Sequence, residues 1–489
     1  MHKEKKYIEL LITLSLVCTF ILHGISQVTL TLDDVLTEVY QSSLPATSAK
    51  LNKDIAAESY RLFVSQLKPQ ISLGLDAPNY SKTSAAITQP DGTIAFQAIS
   101  QLNSTLFASA TQVLPSTGGT LFATSAIQRF DDLSGDFNQY NGVPIRLGIS
   151  QPLFGFNPWK YDKVIQNLQQ EEALKNYNLT VEQNFQTAAQ LFFIVINTQQ
   201  DLDIAKVNVE INEQLLTITE ERFKLGKVSQ DEKLQLEIEL QNAKLSEAQA
   251  SLQKDRAIAD LYVFMNKPQP REEVNCVAPK NLKTVMISDS ELIENAKLNH
   301  PMVIAYLRSI KEAEKSLSQA KAENGFTADL NASVGFARGA DDFKGVYQDP
   351  IQEQRFNLSV QVPILDWGRR SASIRLAEID QELVENQFQI ESRDLENTIR
   401  QELNFFNQLS QEIDLLKGIL DNSQKRAEIS NERYILGNID ITNLTLAQRE
   451  RDQAQKNYIQ TLSAHWLSYY RLRLLTGYDI LKNQTINYN

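Results

Sequence analysis

The sequence predicts an α+β membrane protein. Long antiparallel helical hairpins are joined to strands that close a transmembrane β-barrel shared between protomers, in an internal two-fold sequence repeat. Three observations carry that reading. Glu221–Arg222–Phe223–Lys224–Leu225–Gly226 returns as Glu432–Arg433–Tyr434–Ile435–Leu436–Gly437, a step of 211 residues, and Gln151–Pro152–Leu153–Phe154 answers to Val362–Pro363–Ile364–Leu365 at the same step. Two landmarks in one register mark a duplication. Proline is absent from Trp159 to Lys267 and after Pro363, whereas eight of the 18 glycines fall between Pro69 and Pro158. Two segments thus favour unbroken helix, and the turns gather elsewhere. The third observation is strict apolar–polar alternation in four short runs, the period of a strand between unlike media.

In chain order, residues 1–26 read as a cleaved signal peptide, with a basic start (Lys3, Lys5, Lys6), an apolar core from Leu10 to Leu22 and small residues near Ser26. Residues 27–68 read as leading helices, with Asp33 and Asp34 in a first turn and Pro45 as an interruption. Residues 69–156 form the first strand region: Ile71, Leu73 and Leu75 alternate with polar neighbours, as do Ile145, Leu147 and Ile149. Pro45 and Pro301 lie 256 apart but the return strands only 211, so this region carries an insert of about 45 residues. The insert, around 100–130, is compatible with a further hairpin or with an extended surface loop.

Residues 157–266 read as the first long helical hairpin. Asn157 and Pro158 suit an N-cap and a first helical position, and Gly226 suits a stop. Residues 267–286, with Pro268, Pro270 and Pro279, read as a linker, and 287–324 as a leading helix running from Ser288 to Glu323. The second strand hairpin is expected over 325–366, the second long helical hairpin over 367–477, and a tail over 478–489. Phe154, Phe156, Trp159, Phe326, Phe336, Phe356 and Trp367 cluster near strand ends, where an interfacial girdle or ordinary junction packing would place them.

The formal charge is −12, near −13 once the signal is removed, which argues against nucleic acid as a partner. Signal removal also takes Cys18 and leaves Cys276 alone, so no internal disulfide is available. Enzyme constellations are missing from the sequence: His300 and His465 stand alone, and there is no GxSxG, phosphate loop or CxxC. No cofactor or metal is expected. Four strands, or six with the insert, are too few for a membrane barrel, whose usual minimum is about eight. Lipid also forbids an open sheet edge. Strands of this kind must be pooled between chains.

With these residues in view, the chain resembles the TolC-like outer-membrane channels of tripartite efflux pumps and type I secretion systems. The resemblance rests on the doubled strand–proline–long-helix module and the doubled Arg–aromatic–x–Leu–Gly turn. It implies a homotrimer in the outer membrane of a Gram-negative bacterium, its helices forming an α-barrel tube in the periplasm. It also implies a membrane-fusion adaptor and an inner-membrane pump of RND or ABC type as partners. The two glycine turns would mark the periplasmic tip, with Gly226, Ser229, Asp231, Glu232, Gly437, Asp440, Thr442 and Asn443 as gate candidates. Arg222 and Arg433 would be adaptor contacts or inter-hairpin pairs, and Pro152, Pro158, Pro363 and Trp367 the barrel-to-helix junction. Family members can carry paired aspartates after the second turn; Asn443 and Leu446 stand there in this sequence, with Asp440 upstream. Helix-start charge beside the macrodipole is the plainer role for Asp231, Glu232 and Asp440. The rival to a channel is a periplasmic coiled-coil scaffold or adaptor without a pore.

Overall fold

The computed structural model describes residues 28–135, 137–282 and 287–488, so the signal segment read over 1–26 lies outside the described residues. The chain divides into two units. One takes in the described residues up to Lys53, with Leu174–Pro301 and Ser392 onward; the other is Asp54–Ala173 with Met302–Glu391.

The elements in order are β1 (Val28–Leu30), α1 (Leu32–Ser42), α2 (Leu44–Gln66), β2 (Gln70–Thr88), β3 (Ile94–Leu114), β4 (Gly119–Asp132) and β5 (Phe137–Pro152). Next come α3 (Trp159–Lys224), α4 (Gln230–Phe264), β6 (Val274–Cys276), α5 (Asp289–Asn299), α6 (Pro301–Glu323), β7 (Thr327–Ala340) and β8 (Ile351–Gln361). The series ends with α7 (Arg369–Ile435), α8 (Ile441–Thr476), β9 (Tyr478–Asp479) and β10 (Gln484–Thr485). The long helices α3 and α7 have 66 and 67 residues, each about 100 Å at about 1.5 Å per residue. Among the described residues no helix is long and apolar enough to cross a membrane.

The strand unit is one antiparallel meander in the order β2-β3-β4-β5-β7-β8. Residues 94–132, inside the insert, are two of its strands, hydrogen-bonded between β2 and β5 rather than looped outside. One row crosses all six strands: Ile71, Ala110, Ala123, Leu147, Val334 and Gln354. The adjacent row is Ser72, Ser109, Thr124, Arg146, Gly335 and Glu353. Alternation thus gives the sheet an apolar and a polar face. Among the described residues the apolar face stays open, with Ile71 82% and Phe356 74% exposed. Arg146 and Glu353 pair at 2.7 Å on the polar face.

In the helical unit, Phe192 and Phe193 of α3, Leu261 of α4, Leu292 of α5, Phe406 of α7 and Leu472 of α8 share one core. Thr31 caps α1 in a reciprocal capping box with Asp34. The single helix expected from Ser288 to Glu323 is two helices: His300 is held extended (ψ 132°) before Pro301, because a proline disfavours helical geometry in the residue ahead of it. The stretch read as a linker contributes β6, which pairs in parallel with β1. Gln199 braces this pair by accepting from the Cys276 N–H and donating to its carbonyl. Cys276 is buried, and desolvation pushes its thiol up to about 12. The stretch read as a tail is anchored as well. Arg473 of α8 forks onto Glu182 of α3 at 2.6 and 2.9 Å, Asp479 lies 3.3 Å away, and the Tyr488 hydroxyl donates to Glu182.

Candidate functional site

The two helical turns, both within the helical unit, are built alike. After α3 the chain passes through Gly226 at φ 68°, and after α7 through Gly437 at φ 79°, a left-handed conformation that glycine adopts without a Cβ penalty. Lys227 N–H reaches Arg222 O and Gly226 N–H reaches Phe223 O; Asn438 and Gly437 repeat this with Arg433 and Tyr434. This is the Schellman arrangement, which satisfies the last carbonyls of a helix. The return helices are capped by matching residues: Ser229 Oγ accepts from Glu232 N–H at 3.1 Å, and Asp440 Oδ1 from Asn443 N–H at 2.8 Å. Asp231 and Thr442 occupy equivalent exposed positions behind those caps.

The turns differ in what joins them. Tyr434, fully buried, packs with Leu215, Leu236, Ile441 and Leu444. Its hydroxyl lies 3.0 Å from Thr219 Oγ1 and donates to Glu232 Oε1 at 3.2 Å. Burial pushes the Tyr434 phenol up, so it keeps its proton and stays a donor. Arg222 donates from Nη1 to Tyr434 O at 3.1 Å and from Nη2 to Ile435 O, with its guanidinium 5.7 Å from the Tyr434 ring centre. The cation of one hairpin therefore sits on the carbonyl end of the other, where the helix dipole favours positive charge. Glu232 is more than a helix-start charge, since it also accepts from Tyr434. The equivalents behave otherwise: Phe223 is partly exposed and lacks the hydroxyl, and Arg433 is exposed.

Gly226, Ser229, Glu232, Gly437, Asp440 and Asn443 thus shape the two turns, and Arg222 joins them. Thr219 and Tyr434 carry no site motif in the sequence. The one available signal was the Phe-to-Tyr difference at a single register position.

The junction residues lie in the strand unit. Pro152 ends β5 and pairs with Asp329, and the Pro158 carbonyl accepts from Tyr161 and Asp162 as α3 begins. Asn157 Oδ1 accepts from Trp159 N–H at 3.1 Å, the cap expected of it. Pro363 follows β8, and Trp367, at φ 53° and 90% exposed, precedes α7. Asp366 caps α7 by accepting from Gly368 and Arg370 N–H groups.

The fold is that of outer-membrane channels. The Campylobacter jejuni CmeC outer membrane channel superposes with a TM-score of 0.66 at 16% identity, covering 91% of this chain and 85% of that one. The Neisseria gonorrhoeae MtrE outer membrane channel, in its open state, gives 0.63 at 16%, covering 93% and 91%. VceC of Vibrio cholerae, an outer membrane protein, gives 0.64 at 11%, covering 92% and 96%. In sequence, the outer membrane efflux protein family matches residues 292–478, and that family is one of channels rather than enzymes. Protein CyaE of Bordetella pertussis is 24% identical over 210 residues, 42% of this chain and 44% of that protein, so the match spans less than half the length of that relative. Fold and partial family match together make this chain similar to the TolC-like outer-membrane channels.

Proposed function

We propose that the protein is the outer-membrane exit duct of a tripartite efflux pump or a type I secretion system. It conducts cargo passively and has no catalytic role of its own. The observation that carries this reading is the six-stranded sheet, which bears one exposed apolar face, one polar face and, among the described residues, two unpaired edges at β2 and β8. Such edges cannot stand in lipid, so copies of the chain join edge to edge into one barrel with its polar face on a water-filled lumen. Three copies are the number the family resemblance supports. The 211-residue repeat then supplies two helical hairpins per chain to a periplasmic tube. Ile364, Leu365 and Trp367, all strongly exposed just after β8, suit the membrane interface.

In this reading the two turns lie at the periplasmic tip, and the Arg222–Tyr434–Glu232 contacts hold it narrow. Arg433, exposed at the equivalent place, is the better-placed contact for a membrane-fusion adaptor, behind which stands an RND- or ABC-type pump. A periplasmic coiled-coil scaffold would need neither an amphipathic sheet nor two hairpins in register. Extraction from outer membranes in mild detergent, cross-linking, and recording in planar bilayers test the proposal. A detergent-stable trimer that conducts is expected; a soluble, non-conducting monomer or dimer would promote the scaffold.

A further inference from the structure

We infer that the hairpin β3–β4 is part of the barrel wall and sets its bore, so that three chains close eighteen strands around a lumen wide enough for a polypeptide. The inference rests on the exit-duct reading and deepens it. The strand order carries it. The partners of β2 and β5 on this side of the sheet are β3 and β4, so the hairpin cannot leave the wall without cutting the sheet in two.

Side chains lock both seams. Phe107 of β3 lies over Gly74 of β2, and Phe122 of β4 over Gly148 of β5, so closely that a Cβ on either glycine would collide with the ring. An aromatic ring covering a cross-strand glycine is a register-fixing device. Ser72 and Ser109 hydroxyls meet at 2.7 Å across the first seam. In the polar row the hairpin contributes Ser109 and Thr124, small and uncharged, beside the Arg146–Glu353 pair. In the apolar row it contributes Ala110 and Ala123, in line with Ile71 and Leu147. Both rows continue through the hairpin without changing face.

The dimensions follow. Strands about 4.8 Å apart and tilted by about 40° make a ring about 36 Å across when eighteen close it, against about 24 Å for twelve. A helix with its side chains is about 10–12 Å wide, so the wider ring leaves room for one after its own lining is counted. Hydroxyls, amides and the Arg146–Glu353 pair line the wall, with the Phe107 and Phe122 rings lying over their glycines on the same face, so the large solute it admits meets a mostly polar surface.

The test uses the full chain in outer membranes, with single cysteines S109C and T124C against A110C and A123C. A membrane-impermeant maleimide, and the same reagent on polyethylene glycols of increasing size, is added from outside. Labelling of S109C and T124C but not of the alanine positions is expected, with large polymers still reacting. Equal labelling at all four positions, or labelling by the smallest reagent alone, overturns the inference while leaving the duct intact. Deleting residues 94–136 should yield a trimer in which a cysteine at Ser72 (S72C) reacts with the small reagent and loses the large ones. If that variant does not insert, the four full-length variants decide. Absence of any oligomer or conductance in the wild type brings down the duct reading first.

Discussion

Arg222, in the last turn of α3, donates to the main-chain carbonyls of Tyr434 and Ile435 in the last turn of α7. One hairpin thus caps the other. Arg222→Ala should lower stability by about 1–2 kcal/mol, the scale of a partly exposed charged hydrogen bond. If the tip closes the duct, single-channel conductance rises in this variant and stays unchanged in Arg433→Ala, whose side chain is exposed. Equal conductance in the two would remove Arg222 from any gating part.

Tyr434→Phe tests the other half of the joint. It deprives the fully buried Thr219 hydroxyl of its partner and Glu232 of a donor, at about 1–2 kcal/mol. Tyr434→Ala also empties the small core beneath the turn, for about 3–5 kcal/mol. Thermal unfolding ranks the two, and Phe223→Tyr, at the exposed equivalent position, should behave as wild type.

The fold was legible where periodicity is long. The helices α3 and α7 end within two residues of Gly226 and Gly437, because a glycine stop after a proline-free run leaves few alternatives. Ser229 and Asp440 stand out in the sequence only as polar residues just past the turns, and the structure makes them helix caps. What joined the turns was not. Arg222 and Tyr434 are 212 residues apart, and only packing brings a guanidinium onto those carbonyls. Likewise β6 is three residues among prolines, too short to show a period, and it exists because β1 supplies its partner. The insert's strands escaped a firm reading because their apolar face is rich in alanine and serine, which weakens the alternation.

Arg473→Met is expected to cost about 3–5 kcal/mol, since it leaves Glu182 and Asp479 as buried carboxylates without their cation. Differential scanning calorimetry of the detergent-solubilised protein reads this. A surface pair such as Arg61–Glu58 should give a shift close to zero when broken.

His465 makes stability depend on acidity. Its ring is buried against Phe406 at 4.4 Å, Nδ1 lies 3.2 Å from Asn281 Oδ1, and burial lowers its pKa to about 4 from 6.5. Above pH 6.5 the imidazole is neutral whether folded or unfolded and contributes nothing to the dependence. Below it the unfolded chain takes up a proton the folded one refuses, so stability falls between 6.5 and 4, by up to about 3 kcal/mol. Urea unfolding at several pH values should show this slope, and His465→Gln should flatten it relative to wild type.

Cys276 should resist alkylation at pH 8 until the protein unfolds, because its thiol is both buried and pushed up to about 12. Reaction with iodoacetamide, followed by mass spectrometry in native and denaturing buffer, checks it.

The parallel pairing of β1 with β6 has a consequence for biogenesis. Val28 cannot find Val274 until about 246 further residues have emerged, which at about 5–20 residues per second takes tens of seconds. Tyr488, whose hydroxyl closes on Glu182, arrives later still. The helical unit is therefore stitched shut by segments made at opposite times. During that wait the apolar faces of α1 and α3 have no complete core to bury them. Closure of the helical unit therefore waits on β6, α8 and Tyr488 rather than on the local speed of helix formation.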